Sequence, residues 1–395
     1  MIAYGILISI ILAKEFIEKL FGKRGYLFCC CITFIFVYGI SSETMGLNDR
    51  QYIYSRVFKL CSETNSLTEV IQLAQSRISS GIMFYVITWI ISLFTSDYNV
   101  YLFLLGIPLN VAVTYYIGKY SNNTRLSFLI YLALIYPLTY TVVRQCIAMS
   151  VLMVAIEAMH HERWKKAVIF ILLASTIHLS VLVFLLVVIF KQIKYYRISL
   201  FALPIGLIVG MAGGNIVLNI FSFLVNDETY SLRYSSSNGN SMAITAIAIR
   251  AAILIFLFLA NRMNNDWFSK DNEVVNKRRF FKLTIKKIRI RRSSTASSVL
   301  VASRKSETSQ PNDWFLWNST LSAVFVCLMN VLGEFQRIAA YFDVFIIISI
   351  PRALASYRKH DRMFITILLY VFLIVYFLGF QLDNWNMANY TVFWA

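Results

Sequence analysis

The sequence predicts an all-α, polytopic integral membrane protein of about eleven to thirteen transmembrane helices. Three observations carry that prediction. Of 395 residues, 58% are hydrophobic and only 14% charged, where a soluble domain carries about a quarter charged residues. Apolar runs of roughly 20 residues, the length that crosses a bilayer as a helix, recur along the whole chain. The polar stretches between them also differ in charge, as alternating loops of a membrane protein do. Cys29, Cys30, Cys31, Cys61, Cys146 and Cys327 lack metal-ligand spacing, so neither a disulfide framework nor a zinc site is predicted.

Taken in order, the apolar runs predict spans near 2 to 20, 26 to 40, 81 to 95, 99 to 118, 126 to 142, 144 to 159, 167 to 190, 198 to 225, 243 to 261, 314 to 333, 337 to 351 and 363 to 381. The N-terminal run has no basic residue ahead of it and no small-residue cleavage site, which predicts a span and not a removable signal. Lys23 and Arg24 put the first turn inside, as do Lys191, Lys194 and Arg197 for 191 to 197, and Arg352, Arg358, Lys359 and Arg362 for 352 to 362. Residues 262 to 313 hold 13 Lys plus Arg against 5 Asp plus Glu and read as a basic, Ser-rich cytoplasmic loop lying on anionic lipid. Positive-inside bias accounts for that charge, so no nucleic-acid partner is predicted. Residues 41 to 80 balance four basic residues against four acidic ones and read as an outer loop, as does 226 to 242. The organisation is therefore 1–261, N-terminal transmembrane helices with two outer loops; 262–313, the cytoplasmic loop; and 314–395, C-terminal transmembrane helices with a short outer tail.

Strict alternation would put Lys119, Arg125, Arg163, Lys165 and Lys166 outside, against their charge. Two adjustments bring them inside: 81 to 95 or its neighbour does not span, and 167 to 190 folds back at His178. Broken helices of that kind are tolerated where they line a polar cavity. The adjusted topology gathers Asp49, Arg144, Arg233 and Arg337 at the outer face.

These outer-face polar residues are the candidates for chemistry, because a charge inside hydrocarbon costs about 2.5 to 3.5 kcal/mol on insertion scales. Arg144 opens the helix RQCIAMSVLMVAIEAM; it either snorkels to the headgroups or forks onto phosphate oxygens, with Gln145 beside it for a sugar hydroxyl. His178, in ASTIHLSVLVF, is either a hydrogen-bonded core residue or a proton carrier suited to neutral pH. The segment GLNDRQYIYSRVF brings Asp49 and Tyr52 just past the second span, as an exposed loop or as part of a site. DETYSLRY offers Arg233 and Tyr234. In GEFQRIAAYF, Glu334 and Arg337 stand three apart on one helix face, where they pair or serve a substrate. Several arginines converging on one outer cavity suit a lipid-linked diphosphate better than an ion path, which recruits intramembrane carboxylates. No metal site and no cofactor is predicted.

VRQCIAMSVL, the Lys165-Lys166 turn, LLASTIHLSVLVF, the Arg233-Tyr234 pair and Arg337-x3-Tyr341-Phe342, in that order, resemble the EpsG family of Wzy-type polysaccharide polymerases over roughly residues 1 to 380. Gly46, Asp49 and Tyr52 match that family's outer-loop pattern with one extra residue of spacing. The resemblance implies a bacterial inner-membrane glycosyltransferase that joins undecaprenyl-diphosphate-linked oligosaccharide repeat units at the outer face, making O-antigen (the polymer of lipopolysaccharide), capsule or exopolysaccharide. It implies membrane lipid, a chain-length regulator and a flippase as partners. Arg144, Arg233 and Arg337 would steady the diphosphate leaving group, and His178 or Asp49 would take the acceptor proton. Other enzyme readings are an O-antigen ligase or another lipid-linked-sugar transferase. In a GT-C-like transferase Asp49 would be central and a divalent metal needed. A flippase or transporter of lipid-linked saccharide would show matching halves, and the sequence has no such symmetry.

Overall fold

The computed structural model describes residues 2–46, 49–77, 81–189, 204–205, 208, 246–260, 319, 321–326, 335–392 and 394. Among them the chain is helical, with one isolated antiparallel bridge, Ser41 to Val392. The helices in order are α1 (Ile2–Leu12), α2 (Lys14–Gly39), α3 (Ser55–Ser62), α4 (Leu67–Arg77), α5 (Ile82–Ser92), α6 (Tyr98–Tyr120), α7 (Thr124–Leu134), α8 (Val143–His160), α9 (Trp164–Ile177) and α10 (Leu185–Ile189). After the undescribed segment come α11 (Ala246–Ala260), α12 (Phe335–Leu354) and α13 (Lys359–Tyr376). The expected outer loop 226 to 242 and cytoplasmic loop 262 to 313 lie outside the described residues.

Four helices among the described residues, Lys14–Gly39, Tyr98–Tyr120, Val143–His160 and Lys359–Asn384, are long and apolar enough to cross a membrane. Burial sorts them. α13 turns a broad apolar face outward, with Phe364, Ile367, Leu368 and Val371 all more than half exposed, as lipid-facing helices do. α7 and α12 are apolar nearly all round and buried along their length, which is the pattern of a helix enclosed by others. Ser127 Oγ donates to the Ile347 carbonyl at 2.8 Å and joins the two. Behind them Arg250 of α11 and Asp343 of α12 form a buried ion pair of 2.6 Å, and Ser322 donates to the other carboxylate oxygen.

One expectation is corrected. The run 2 to 20 is not one span: α1 stops at Leu12, and α2 begins at Lys14 and continues through the Lys23-Arg24 turn to Gly39. Gly22, at φ 70° and ψ 177°, breaks α2 within that turn. The piece Lys14 to Phe21 carries charge on one side and exposed Phe16, Leu20 and Phe21 on the other, the pattern of a helix lying in an interface. Within the expected outer loop 41 to 80 the chain forms the π-helical turn Asp49–Tyr54, then α3 and α4.

Two elements are short or broken at the points where strict alternation fails. α5 has 11 residues, about 16 Å of helix against a core of about 30 Å. The pattern 167 to 190 breaks at His178, whose φ of −150° and ψ of 110° are extended, and α10 packs against α9. As a result the basic turns share one end of the bundle. Lys23 Nζ donates to the Gly118 carbonyl at 3.1 Å, Lys119 and His161 meet on Glu157, and Arg125 pairs with Glu15. The opposite end is rich in tyrosine and carries the candidate residues.

Candidate functional site

α8 starts where the 3-10 turn Tyr136–Tyr140 ends, and its first turn presents Arg144 at the tyrosine-rich end. The Val142 cap offers no side-chain acceptor to the first amides of α8, which leaves a positive helix terminus beside a guanidinium, a setting that attracts anions. The Arg144 amide donates to Tyr54 Oη at 3.4 Å. That contact brings the Asp49–Tyr54 turn to α8 and sets Asp49 within the fields of both Arg144 and Arg337. Burial pushes the Asp49 carboxyl above the usual carboxylate range, and Arg337 and Arg144 oppose the rise. Burial also pushes the Tyr54 hydroxyl up to about 12, again opposed by Arg144.

Arg337 reaches the same place from α12. Gln145 Nε2 donates to the Arg337 carbonyl at 2.6 Å, fastening the turn that carries one arginine to the turn that carries the other. Gln145 is buried, and its Oε1 has no hydrogen-bond partner among the described residues. His178 stands at the end of α9 within the fields of Arg144 and Arg337, and its buried Nδ1 has no hydrogen-bond partner among the described residues. Two residues on, Ser180 Oγ shares a 2.8 Å hydrogen bond with Tyr341 Oη of α12. The Arg337-x3-Tyr341 motif and the His178-Leu179-Ser180 motif therefore interlock, one helical turn setting both an arginine and the histidine's loop.

Four of the expected residues, Asp49, Arg144, His178 and Arg337, thus come together, with Gln145 as the clamp between two of them. Tyr52 is 58% exposed on the π-helical turn, while Tyr54, two residues along, faces inward onto Arg144. Arg233, Tyr234 and Glu334 lie outside the described residues. Among the described residues no three His, Cys, Asp or Glu side chains cluster to hold a metal ion.

Some residues acquire a role that the motifs do not announce. Gly81 caps α5 in a left-handed conformation, φ 106°, and a Cβ there would stand 2.7 Å from the Ile177 carbonyl and 3.4 Å from Arg144 Nη1. Only glycine fits that approach without strain, and it seats α5 against the Arg144 and His178 segments together. Arg50 is fully buried. Its Nη1 donates to Ser41 Oγ at 3.0 Å, and its guanidinium lies 4.9 Å from the Tyr38 ring centre and 5.4 Å from that of Tyr140. This cation–π cage anchors the turn that carries Asp49, and the Arg50 carbonyl accepts a hydrogen bond of 2.5 Å from Tyr98. Asn386 donates to the Gly46 carbonyl at 3.1 Å, tying the same turn to the C-terminal segment. The spacing of Tyr54 from Asp49 is the one local signal for its role; the roles of Gly81 and Arg50 depend on contacts distant in sequence.

No curated protein and no solved structure matches the chain significantly. A family model described as EpsG family matches residues 26–392, a span that includes every element of the cluster. An all-α membrane bundle, the family motifs and the match over nearly the whole chain converge: this protein belongs to the EpsG family of Wzy-like polymerases.

Proposed function

We propose that this protein polymerises undecaprenyl-diphosphate-linked oligosaccharide repeat units at the outer face of the bacterial inner membrane. The observation that carries the reading is the convergence of two arginines, Arg144 and Arg337, with one carboxylate and one imidazole at the first turn of α8. In this reading the tyrosine-rich end is outer and the basic end cytoplasmic, in keeping with the positive-inside rule.

The acceptor hydroxyl attacks the anomeric carbon that bears the lipid diphosphate, the new C–O bond forms, and the bond from that carbon to the diphosphate oxygen breaks. Negative charge then grows on the departing diphosphate. Arg144 and Arg337 supply preorganised positive charge where it develops, the kind of interaction that lowers such barriers most. The proton of the acceptor passes to His178 Nδ1, which has no protein hydrogen-bond partner among the described residues, or to Asp49, whose ionised form both arginines favour. Gln145 and Tyr54 hold these groups in register by their bonds to Arg337 and Arg144. In vitro polymerisation of a purified lipid-linked repeat unit tests the reading. Products longer than one repeat unit, made by the wild type and not by Arg144→Ala at equal protein, are expected; polymer from Arg144→Ala at the wild-type rate would overturn it.

A further inference from the structure

The basic end holds a cavity, remote from the cluster, of about 640 Å³, within the size range of small-molecule sites. Four cationic side chains line it, Lys14, Arg125, Lys359 and Arg362, against one carboxylate, Glu15. Glu15 is paired with Arg125, and Lys14 lies 3.9 Å from Glu18. Among the described residues Lys359 and Arg362 have no carboxylate partner, and the described lining is net positive.

The walls are of two kinds. On the polar side Asn123 and Tyr370 are hydrogen-bonded to each other, and the Arg125 guanidinium lies 5.8 Å from the Tyr370 ring centre. On the other side Met363 and Ile367 of α13 stand 59% and 55% exposed on that helix's outward apolar face. Lys14 and Glu15 join the lining from the start of α2, whose piece Lys14 to Phe21 bears the interfacial pattern described above. Cations beside an apolar wall on the outward face of α13 match a molecule with a phosphate at one end and an acyl chain at the other. Basic pockets between helices bind acidic lipid headgroups on these terms.

The geometry points to a binding site for one anionic glycerophospholipid, its phosphate held by Arg362, Lys359 and Arg125 and its acyl chain laid along Met363 and Ile367. The phosphate is read as a charged fork by the arginines, and the occupied site fills the gap between α13 and the α6–α7 turn. The binding chemistry holds whichever reaction the opposite end performs, so the two readings fail separately.

The full-length protein, reconstituted in nanodiscs of phosphatidylglycerol and phosphatidylcholine in equal parts and then extracted into mild detergent, is weighed intact by native mass spectrometry. Wild type should retain one phosphatidylglycerol in preference to phosphatidylcholine. Lys359→Gln/Arg362→Gln should weaken that retention roughly thirtyfold, and Met363→Glu, which keeps the cations but charges the acyl wall, should weaken it too. Lys19→Gln/Arg24→Gln, exposed basic residues of the same end outside the cavity, should retain the lipid as wild type does. Equal retention of the two lipids by wild type, or equal losses in the Lys19/Arg24 variant, would overturn the assignment. A thermal shift with inorganic phosphate equal to that with short-chain phosphatidylglycerol, and lost in Lys359→Gln/Arg362→Gln, would instead make it a free-anion site and also overturn the lipid assignment.

Discussion

The side-chain amide of Gln145 donates to the main-chain carbonyl of Arg337 across 192 positions of sequence, at 2.6 Å. One hydrogen bond thereby fixes the distance between two helical turns that each carry a guanidinium. Both turns sit at the same end of the bundle, with Asp49 and His178 within the fields of the two guanidinium groups. In the proposed reaction these two positive groups would meet the departing diphosphate.

Arg144→Ala should lower polymerisation by about 10²- to 10³-fold while the protein still inserts in the membrane. Arg144→Lys should recover little, because an ammonium cannot fork onto two phosphate oxygens. A ladder gel of surface polysaccharide from a deletion strain complemented with each variant checks this; ladders of normal length and intensity from Arg144→Ala would remove Arg144 from the chemistry.

His178→Gln keeps a hydrogen-bonding side chain at the break between α9 and the following 3-10 turn, so folding should survive. If His178 takes the acceptor proton, turnover should fall by about 10²- to 10⁴-fold. The comparison is in vitro polymerisation at matched protein, and near-wild-type turnover by His178→Gln would leave Asp49 as the base.

The Asp49 prediction concerns pH. Burial raises the Asp49 carboxyl, with Arg337 and Arg144 opposing, and a base must be ionised to act. Acidification protonates a raised carboxyl at a higher pH than it does an ordinary aspartate, near 3.9. Activity that depends on Asp49 should therefore fall as pH drops, with the midpoint of the loss above that of an ordinary aspartate. The pH–rate profile of Asp49→Asn decides: residual activity that still shows the same acid limb would assign that limb to another group.

The buried pair of Arg250 and Asp343 should behave as a matched set. Arg250→Met leaves the Asp343 carboxylate buried without its cation and should cost about 3 to 5 kcal/mol, whereas Arg250→Met with Asp343→Leu should recover most of that loss. Thermal unfolding in detergent of the two variants measures it, and equal destabilisation by both would mean that the pair matters for packing and not for charge.

Orientation follows from charge. In a cysteine-free background, a cysteine at exposed Ser62 should react with an impermeant maleimide added outside intact cells, and one at exposed Lys165 should not. Labelling of Lys165→Cys from outside would reverse the assignment of the two ends.

Sequence alone was enough for the solvent and the parts. Its apolar runs and scarce charge leave helices in a bilayer as the way to satisfy the backbone, and the basic turns 119 to 125, 160 to 166 and 352 to 362 already belong together by charge. The break at His178 was legible because an imidazole and alternation failed at one point. Arg144, Arg337, Asp49 and His178 stood out because a polar group is conspicuous against hydrocarbon. Tertiary structure alone decided how these residues meet. Helical periodicity reports which residues share a face but not which helices touch, so the Gln145 clamp, the Ser180 to Tyr341 bond and the Arg144 to Tyr54 contact, each spanning 90 or more positions, could not be read along the chain. The same holds for Tyr54 over Tyr52, since a π-helical turn and not its composition chose which ring turns inward. Gly81 is the plainest case: one glycine among 15, it matters because two distant backbones arrive where a Cβ would otherwise stand.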